Sequence, residues 1–297
     1  MSSSIEAVRD AFNFEIQKLP LSGPDNMRTP WYGLFRSDNG DLVTDASKTQ
    51  VYVPHQTEDV VALAEAASNA FEGDCKIDCH FSMGHHMIIS PSNQDRLSVF
   101  GENDNVFPRF VIKAPYNGRS FMASMGLYRD LCTNLTMLHT VRESHVNIRH
   151  DTGLPNKIEE LTRTFSVLRE SWATVTKVIE QMEESQVNIS EFLRLAVPPS
   201  NPEDPSTRYQ NMIGAIIRRI RDENFRSGRS ETDIHAESQI SVWQAYNGIQ
   251  GHIQHTSTRK GVPHDRIGEM NISRVISGVH DPRMKKLESV AMTAISA

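Results

Sequence analysis

The most regular hydrophobic pattern in the chain is Ile158, Leu161, Phe165, Leu168, Trp172, Val175, Ile179 and Met182, spaced 3-4-3-4-3-4-3. That period places all of them on one stripe of a helix, and Pro155 stands where a first turn tolerates a residue without an N–H. The spacing predicts one long amphipathic helix, its seam packed across a sheet or joined to a second copy of the chain. Flanking positions lack paired charges, which favours core packing. Before this stripe the pattern is mostly strand-like. Ile5 to Leu19 reads as a helix and Pro20 to Pro30 as a turn-rich stretch. Trp31–Phe35 and Gln50–Val53 read as strands, with Ser37–Gly40 as an Asn-Gly turn after the first. Val60, Val61, Ala64 and Ala67 share a face of a helix running from a Thr57 cap to about Phe71. Cys75–Met83 and His86–Ile89 form a hairpin around Gly84, and Val106–Ala114 and Ser120–Leu127 a second around Tyr116-Asn-Gly118. Val146–Ile148 adds a short strand.

After the long helix, residues 197–207 (VPPSNPEDPST) hold four prolines and read as a linker. Helical stretches follow at about 208–224, 233–258 and 282–295. The predicted fold class is therefore α+β: an antiparallel sheet covered by a long amphipathic helix, then a smaller helical C-terminal region. The expected organisation is an N-terminal segment over 1–30, a sheet domain over 31–195, a linker over 196–207 and a helical subdomain over 208–297.

Composition narrows the class. With 297 residues, 38% hydrophobic and 23% charged, the chain has enough apolar material for a folded core. No apolar run reaches the ~20 residues of a membrane-spanning helix, and the first residues lack the basic start of a signal peptide. Three cysteines, Cys75, Cys79 and Cys132, do not make a disulfide framework. A cytoplasmic protein is expected. The net charge of −6 means that any affinity for nucleic acid must come from a local basic patch.

The chemistry-bearing residue types give no compact catalytic motif. Cys75, Cys79 and His80 lie on one strand with no second cysteine pair, so a buried-cysteine role is expected over a zinc site. His85 and His86 would point to opposite faces of a strand. His252 and His255, three apart on a helix, share a side but are only two ligands. Nucleophile elbows, kinase signatures, phosphate loops and dinucleotide fingerprints are missing, and no cofactor or metal is expected. A metal-dependent nuclease built from scattered Asp, Glu and His stays open as an alternative.

Basic clusters are more informative. Arg208 to Arg229 holds six arginines (208, 218, 219, 221, 226 and 229) beside an apolar face of Met212, Ile213, Ile216, Ile217 and Ile220. Arg218 and Arg221 should project outward, with Arg219 at the boundary. Such a face is either solvated or a phosphate-binding surface. A second series runs Arg119, Arg129, Arg142, Arg149 and His150, interleaved with Tyr116, Phe121 and Tyr128, which either stack on bases or fill a sheet core.

Several segments together resemble the phage- and plasmid-type family known as domain of unknown function 932. They are Trp31-Tyr-Gly-Leu-Phe-Arg-Ser-Asp38, Val51-Tyr-Val-Pro-His-Gln-Thr-Glu-Asp59, Tyr116-Asn-Gly-Arg-Ser120, Leu131-Cys-Thr-Asn134, Val146-Asn-Ile-Arg-His150, and Ser241-Val-Trp-Gln-Ala-Tyr-Asn247 continuing to His255. Their order and spacing match over about residues 30–295. The family's longer His-Asp-Gly element is reduced here to Tyr116-Asn-Gly118. The resemblance implies cargo of mobile elements, found among genes of DNA processing and anti-restriction. The order of elements is also similar to the core of single-strand annealing proteins, which form rings around a basic groove.

The leading expectation is a non-enzymatic, homo-oligomeric protein that binds single-stranded DNA and assists annealing or recombination without ATP. Arg119, Arg129, Arg149 and His150 are the first candidates for binding, and Arg218, Arg219 and Arg221 the second. Asn134, Trp243, Asn247 and His255 match the family pattern without an assigned role, and Trp243 is expected to pack. The alternative is an anti-restriction or anti-defence protein that binds a host protein, which the acidic balance suits.

Overall fold

The computed structural model describes residues 5–71, 74–81, 84–91, 96–101, 103–129, 135–136, 145–231, 233–255 and 282–296. The fold is α+β, with antiparallel strand pairing throughout. The chain gathers into two compact units whose segments interleave. Unit 1 takes residues 1–95, 108–126 and 143–171; unit 2 takes 96–107, 127–142 and 172–297. The proline-rich stretch expected to separate two domains lies inside unit 2. No helix among the described residues is long and apolar enough to cross a membrane.

Unit 1 opens with α1 (Ile5–Ala11) and a hairpin of β1 (Ile16–Ser22) and β2 (Arg28–Arg36). The helix expected to reach Leu19 stops at Ala11, because the pattern changes period. Phe12, Phe14 and Ile16 are buried and the residues between them exposed, so this segment follows a two-residue repeat. Gln50–Val53, expected as a strand, is not one. Its neighbour Lys48 makes a single bridge to Tyr32, and the Tyr52 N–H turns back to the Thr49 carbonyl. α2 (Thr57–Ala70) starts at its expected cap residue, so that its cap lies one residue earlier. Gln56 is the cap residue, its N–H donating to Asp59 Oδ2 at 2.7 Å, while the Thr57 hydroxyl donates to the Phe14 carbonyl.

The unit 1 sheet uses β3 (Cys75–Phe81), β4 (Gly84–Pro91), the later part of β6 (Asp104–Pro115) and the first part of β7 (Phe121–Arg129), with β9 (His145–Ile148) beside β7. β4 is buried along its whole length. Its first residue, Gly84, has φ +144, and a Cβ there would lie 2.4 Å from the Ala114 carbonyl oxygen on β6. α2 packs on β4 and against α3 (Leu154–Glu170). Phe71, Phe110 and Phe165 join helices to sheet, with ring centroids 4.6 and 5.0 Å apart. Cys75 and Cys79 are half-buried rather than buried.

Unit 2 holds β5 (Leu97–Phe100) on the start of β6, and β8 (Leu135–Thr136) on the end of β7. Its body is α4 (Trp172–Glu184), β10 (Gln186–Asn188), α5 (Ile189–Ala196), α6 (Thr207–Ser227), β11 (Gln239–Ser241), α7 (Val242–His255) and α8 (Pro282–Ile295). α7 is the hub, packed on α4, α5, α6 and α8. The single long helix expected over residues 158–182 is two helices, α3 and α4, interrupted at Ser171. A one-residue interruption leaves the 3-4 spacing intact, so periodicity alone does not detect it. Ile158, Leu161 and Phe165 fill the core of unit 1, and Trp172, Val175, Ile179 and Met182 that of unit 2.

Candidate nucleic-acid interface

The β7–β9 register pairs Phe121 with Ile148, so the residues just outside that pair come to one end of the unit 1 sheet. Arg149 directly follows Ile148, Arg119 stands two residues before Phe121, and both are exposed. Lys113 lies close enough to Arg119 for the two like charges to act on each other, and this repulsion adds to burial in lowering the Lys113 pKa. On the other side of Arg149, the His150 ring stacks on Tyr52 at 5.1 Å. The Tyr52 ring carries the Lys48 ammonium 5.1 Å from its centroid, and Lys18 donates to the carbonyls of Tyr52 and Gln50 at 2.8 and 2.6 Å. Half-buried Lys18 and Lys113 and exposed Arg149 and Arg119 thus make a basic run, with Lys48 buried and the His150 ring neutral behind it. Two carboxylates temper it: Asp45 beside Lys48, and Asp151, which accepts from Lys157 at 2.7 Å.

This run is local. The whole formal excess of −6 falls on the sequence of unit 1, while unit 2 balances its acids and bases. A basic patch in an acidic unit concentrates field where an anion must bind. Burial lowers the pKa of Lys18 and of Lys48, the latter opposed by Asp45.

Beneath the run lies a cluster of neutral rings. His55 stacks on Tyr116 at 4.1 Å and 7°, and its Nε2 lies 3.3 Å from His85 Nδ1. The Tyr116 hydroxyl donates to the His55 carbonyl at 2.9 Å and also lies 3.4 Å from His85 Nδ1. Phe12, Phe14 and Phe81 complete the shell around His85. Burial holds the imidazoles unprotonated. It pushes His85 down to about 3, with His86 and Arg36 adding to the effect, and His55 further below its usual range, with the neighbouring histidines adding to it. His150 falls to about 4, mainly by burial, although the Val53 and Pro115 carbonyls partly oppose this. Among the described residues, the Tyr52 hydroxyl, His55 Nδ1 and His85 Nε2 have no aligned hydrogen-bond partner. Such a concentration of unsatisfied buried polar atoms is uncommon in a folded interior. Tyr52 and His55, Tyr116, and His150 come from three separated segments of the family resemblance. Sequence reasoning missed their convergence, weighed Tyr116 only as a stacking or core ring, and omitted Tyr52, His55, Lys18, Lys48 and Lys113 as site residues. The available signal was the recurrence of His and Tyr in those segments.

Arg129 requires a correction. It is 2% exposed, in unit 2, and wholly committed. Its Nε and Nη2 donate to the two Asp104 oxygens at 2.6 and 2.9 Å, and its Nη1 to Glu223 Oε2 at 2.5 Å. A guanidinium held by two buried carboxylates is not available to a phosphate. The carboxylates continue the network. Glu223 Oε1 accepts from Arg219, while Glu183 accepts from Arg229 at 2.7 Å and from the Ser241 hydroxyl at 2.8 Å. Arg219 is therefore half withdrawn as well. Tyr116 and Phe121 are fully buried core rings, not stacking platforms.

Arg218 is exposed on α6. Arg221 is half-buried and donates to the Ile234 carbonyl at 2.6 Å. Trp243 is buried in the α7 core, as expected, and Asn247 is buried beside it, its Nδ2 donating to the Trp243 carbonyl. His252 is half-buried. Cys132, Asn134 and Arg142 lie outside the described residues, as do the side chains of His80, Tyr128 and His255. Among the described residues no group of three or more His, Cys, Asp or Glu is placed to hold a metal ion.

The family model described as Domain of unknown function (DUF932) matches residues 46–277, a span that includes Lys48, Tyr52, His55, Tyr116, Arg119, Arg149 and His150. No curated protein and no solved structure matches the chain.

Proposed function

We propose that the chain, which belongs to the DUF932 family, binds single-stranded DNA along the basic run of unit 1 as an accessory protein of phage or plasmid DNA metabolism. The observation that carries this reading is the exposed pair Arg119 and Arg149, with half-buried Lys113 and Lys18, on an otherwise acidic unit. The two exposed arginines offer their forks to phosphate oxygens, and each phosphate neutralised releases a counterion. Binding of this kind needs neither ATP nor a metal, and it suits annealing or recombination of strands of any sequence, by a homo-oligomer in the cytoplasm of a host cell.

The test is fluorescence anisotropy of a labelled single-stranded oligonucleotide, at low and near-physiological salt, with a duplex control. Binding should weaken steeply with salt, and Arg119→Ala and Arg149→Ala should each reduce the salt slope by about 0.7. No binding at low salt overturns the reading.

A second reading rests on the acidity of unit 1. An acidic surface can occupy the DNA-binding face of a host defence or restriction protein. In that case the oligonucleotide stays free, and the chain competes with DNA for such a protein.

A further inference from the structure

The outward stripe of α6 carries an aromatic ring that the reading above leaves unused. Arg208, Asn211, Ala215, Arg218, Asp222 and Phe225 follow one another at 3-4-3-4-3 spacing, which puts them on one face of the helix. All but Ala215 are exposed, and Phe225 is 76% exposed, the largest value for a large apolar side chain among the described residues. The opposite face supplies the core: Ile216, Ile220, Glu223 and Asn224 are buried. Arg221 precedes Phe225 by one turn and Arg226 follows it, with Arg226 Nε donating back to the Asp222 carbonyl.

We propose that Phe225 is a base-stacking platform for single-stranded nucleic acid, with Arg218 and Arg208 holding the phosphates that follow along the helix. Resting on the proposed binding of single strands, this assigns a second, separate contact. Charge complementarity selects the occupant: the face has arginines at the start and middle of the stripe, Arg208 and Arg218, and one opposing carboxylate, Asp222. The helix dipole sets the polarity. The C-terminal end of α6 disfavours an anion, so the uncharged base lies on Phe225, and the phosphates lie toward the middle and start of the helix. Phe225 and Arg218 are seven residues apart, or about 10 Å along the axis, which is the reach of one to two nucleotides. A phenyl face stacks on any base, and it needs that base unpaired, so duplex cannot use it.

The experiment compares the full chain with Phe225→Ala, Phe225→Trp and Arg218→Ala by anisotropy on the same labelled single strand and duplex. Phe225→Ala should weaken single-strand binding by about 5- to 100-fold and leave duplex binding unchanged. Phe225→Trp should retain affinity, and its added fluorescence should be quenched by the single strand. Arg218→Ala should lower the salt slope by about 0.7. Wild-type binding that Arg149→Ala weakens but Phe225→Ala does not overturns the platform and leaves the unit 1 reading standing. Loss with Phe225→Ala but not with Arg119→Ala or Arg149→Ala supports the platform and overturns the unit 1 run. Sedimentation without DNA closes the remaining route: a self-associating wild type and a monomeric Phe225→Ala overturn the platform in favour of a contact between copies.

Discussion

The two units bury polar groups in opposite ways. In unit 1 the interior groups, Lys48 apart, are neutral: His55, His85 and Tyr116 pack ring on ring, and His55 Nδ1 and His85 Nε2 have no aligned partner among the described residues. In unit 2 the interior groups are ionic: Arg129, Arg229 and Arg219 face Asp104, Glu223 and Glu183 across donated hydrogen bonds. Each arrangement avoids the cost of an isolated buried charge by a different route. Unit 1 discharges its groups by holding imidazole pKa values low. Unit 2 keeps its charges and pairs them. The consequence is a division of sensitivities, with unit 1 responding to pH and unit 2 to the loss of a partner.

The sharpest way to break the comparison is Arg129→Ala. It leaves Asp104 only Arg229, at 3.7 Å, and Glu223 only Arg219, at 3.1 Å, and a buried pair broken from one side costs about 3–5 kcal/mol. The cost should appear in amide hydrogen exchange of α6 and α7, because α6 carries Glu223 and α7 carries Trp243, over which Arg129 lies at 5.7 Å. A loss below about 1 kcal/mol, the scale of a surface pair, would show that the network contributes little.

Acidification comes next, and it should act on unit 1. The His85 and His150 pKa values are depressed to about 3 and about 4, and His55 is also depressed, so an unfolded chain binds protons that the folded one refuses. Stability is then full above the unfolded histidine value of about 6.5 and declines as pH falls from there toward the folded values. Most carboxylates titrate below pH 5, so the interval between pH 6.5 and 5 isolates the histidines. Urea midpoints at pH 7.5, 6.0 and 5.0 should fall in sequence, and His85→Phe should flatten the series. A midpoint unchanged across that interval would mean that the imidazoles are not held neutral.

The same contrast explains what was legible in the chain. The hairpins around Gly84 and Asn117-Gly118 follow from turn chemistry and alternation, and the structure has them at the expected places. The helix face of Val60, Val61, Ala64 and Ala67 is buried as its spacing requires. These are local rules. Arg129 was misread because it stands near the end of a strand like any exposed cation, and its partners Asp104 and Glu223 lie 25 and 94 residues away. The ring cluster was missed for the same reason, since His55 meets His85 and Tyr116 only once β4 and β6 pair. Arg119 and Arg149 come to the same end of the sheet because β7 pairs with β9, and short strands alone do not reveal their neighbours. Residues 233–258, read as one helix, contain β11 before α7, and the stop between them is chemical. Ser241 and Gln244 form a reciprocal cap at the start of α7.

That cap supplies the smallest of the expected effects and the most discriminating one. Ser241 Oγ accepts from the Gln244 N–H at 3.2 Å, the Gln244 Oε1 accepts from the Ser241 N–H at 2.8 Å, and the same hydroxyl donates to Glu183 at 2.8 Å. One side chain therefore starts the hub helix and satisfies an acid of the ionic network. Ser241→Ala should cost about 1 kcal/mol through the cap, with a further share from the lost bond to Glu183, whereas Ser241→Thr should recover most of it. Because the two cap bonds join Ser241 to an amide and a backbone N–H, neither ionisable, the cost of the cap should be the same at pH 7.5 and at pH 6.0, where unit 1 is already weakening. Exchange rates in α7 measured at both values decide the matter. An equal increase in the variant at both pH values assigns the cost to the cap, whereas an increase that grows on acidification would assign part of it to His252 on the same helix, whose pKa is lowered by burial with Arg219 and Arg283 adding to it.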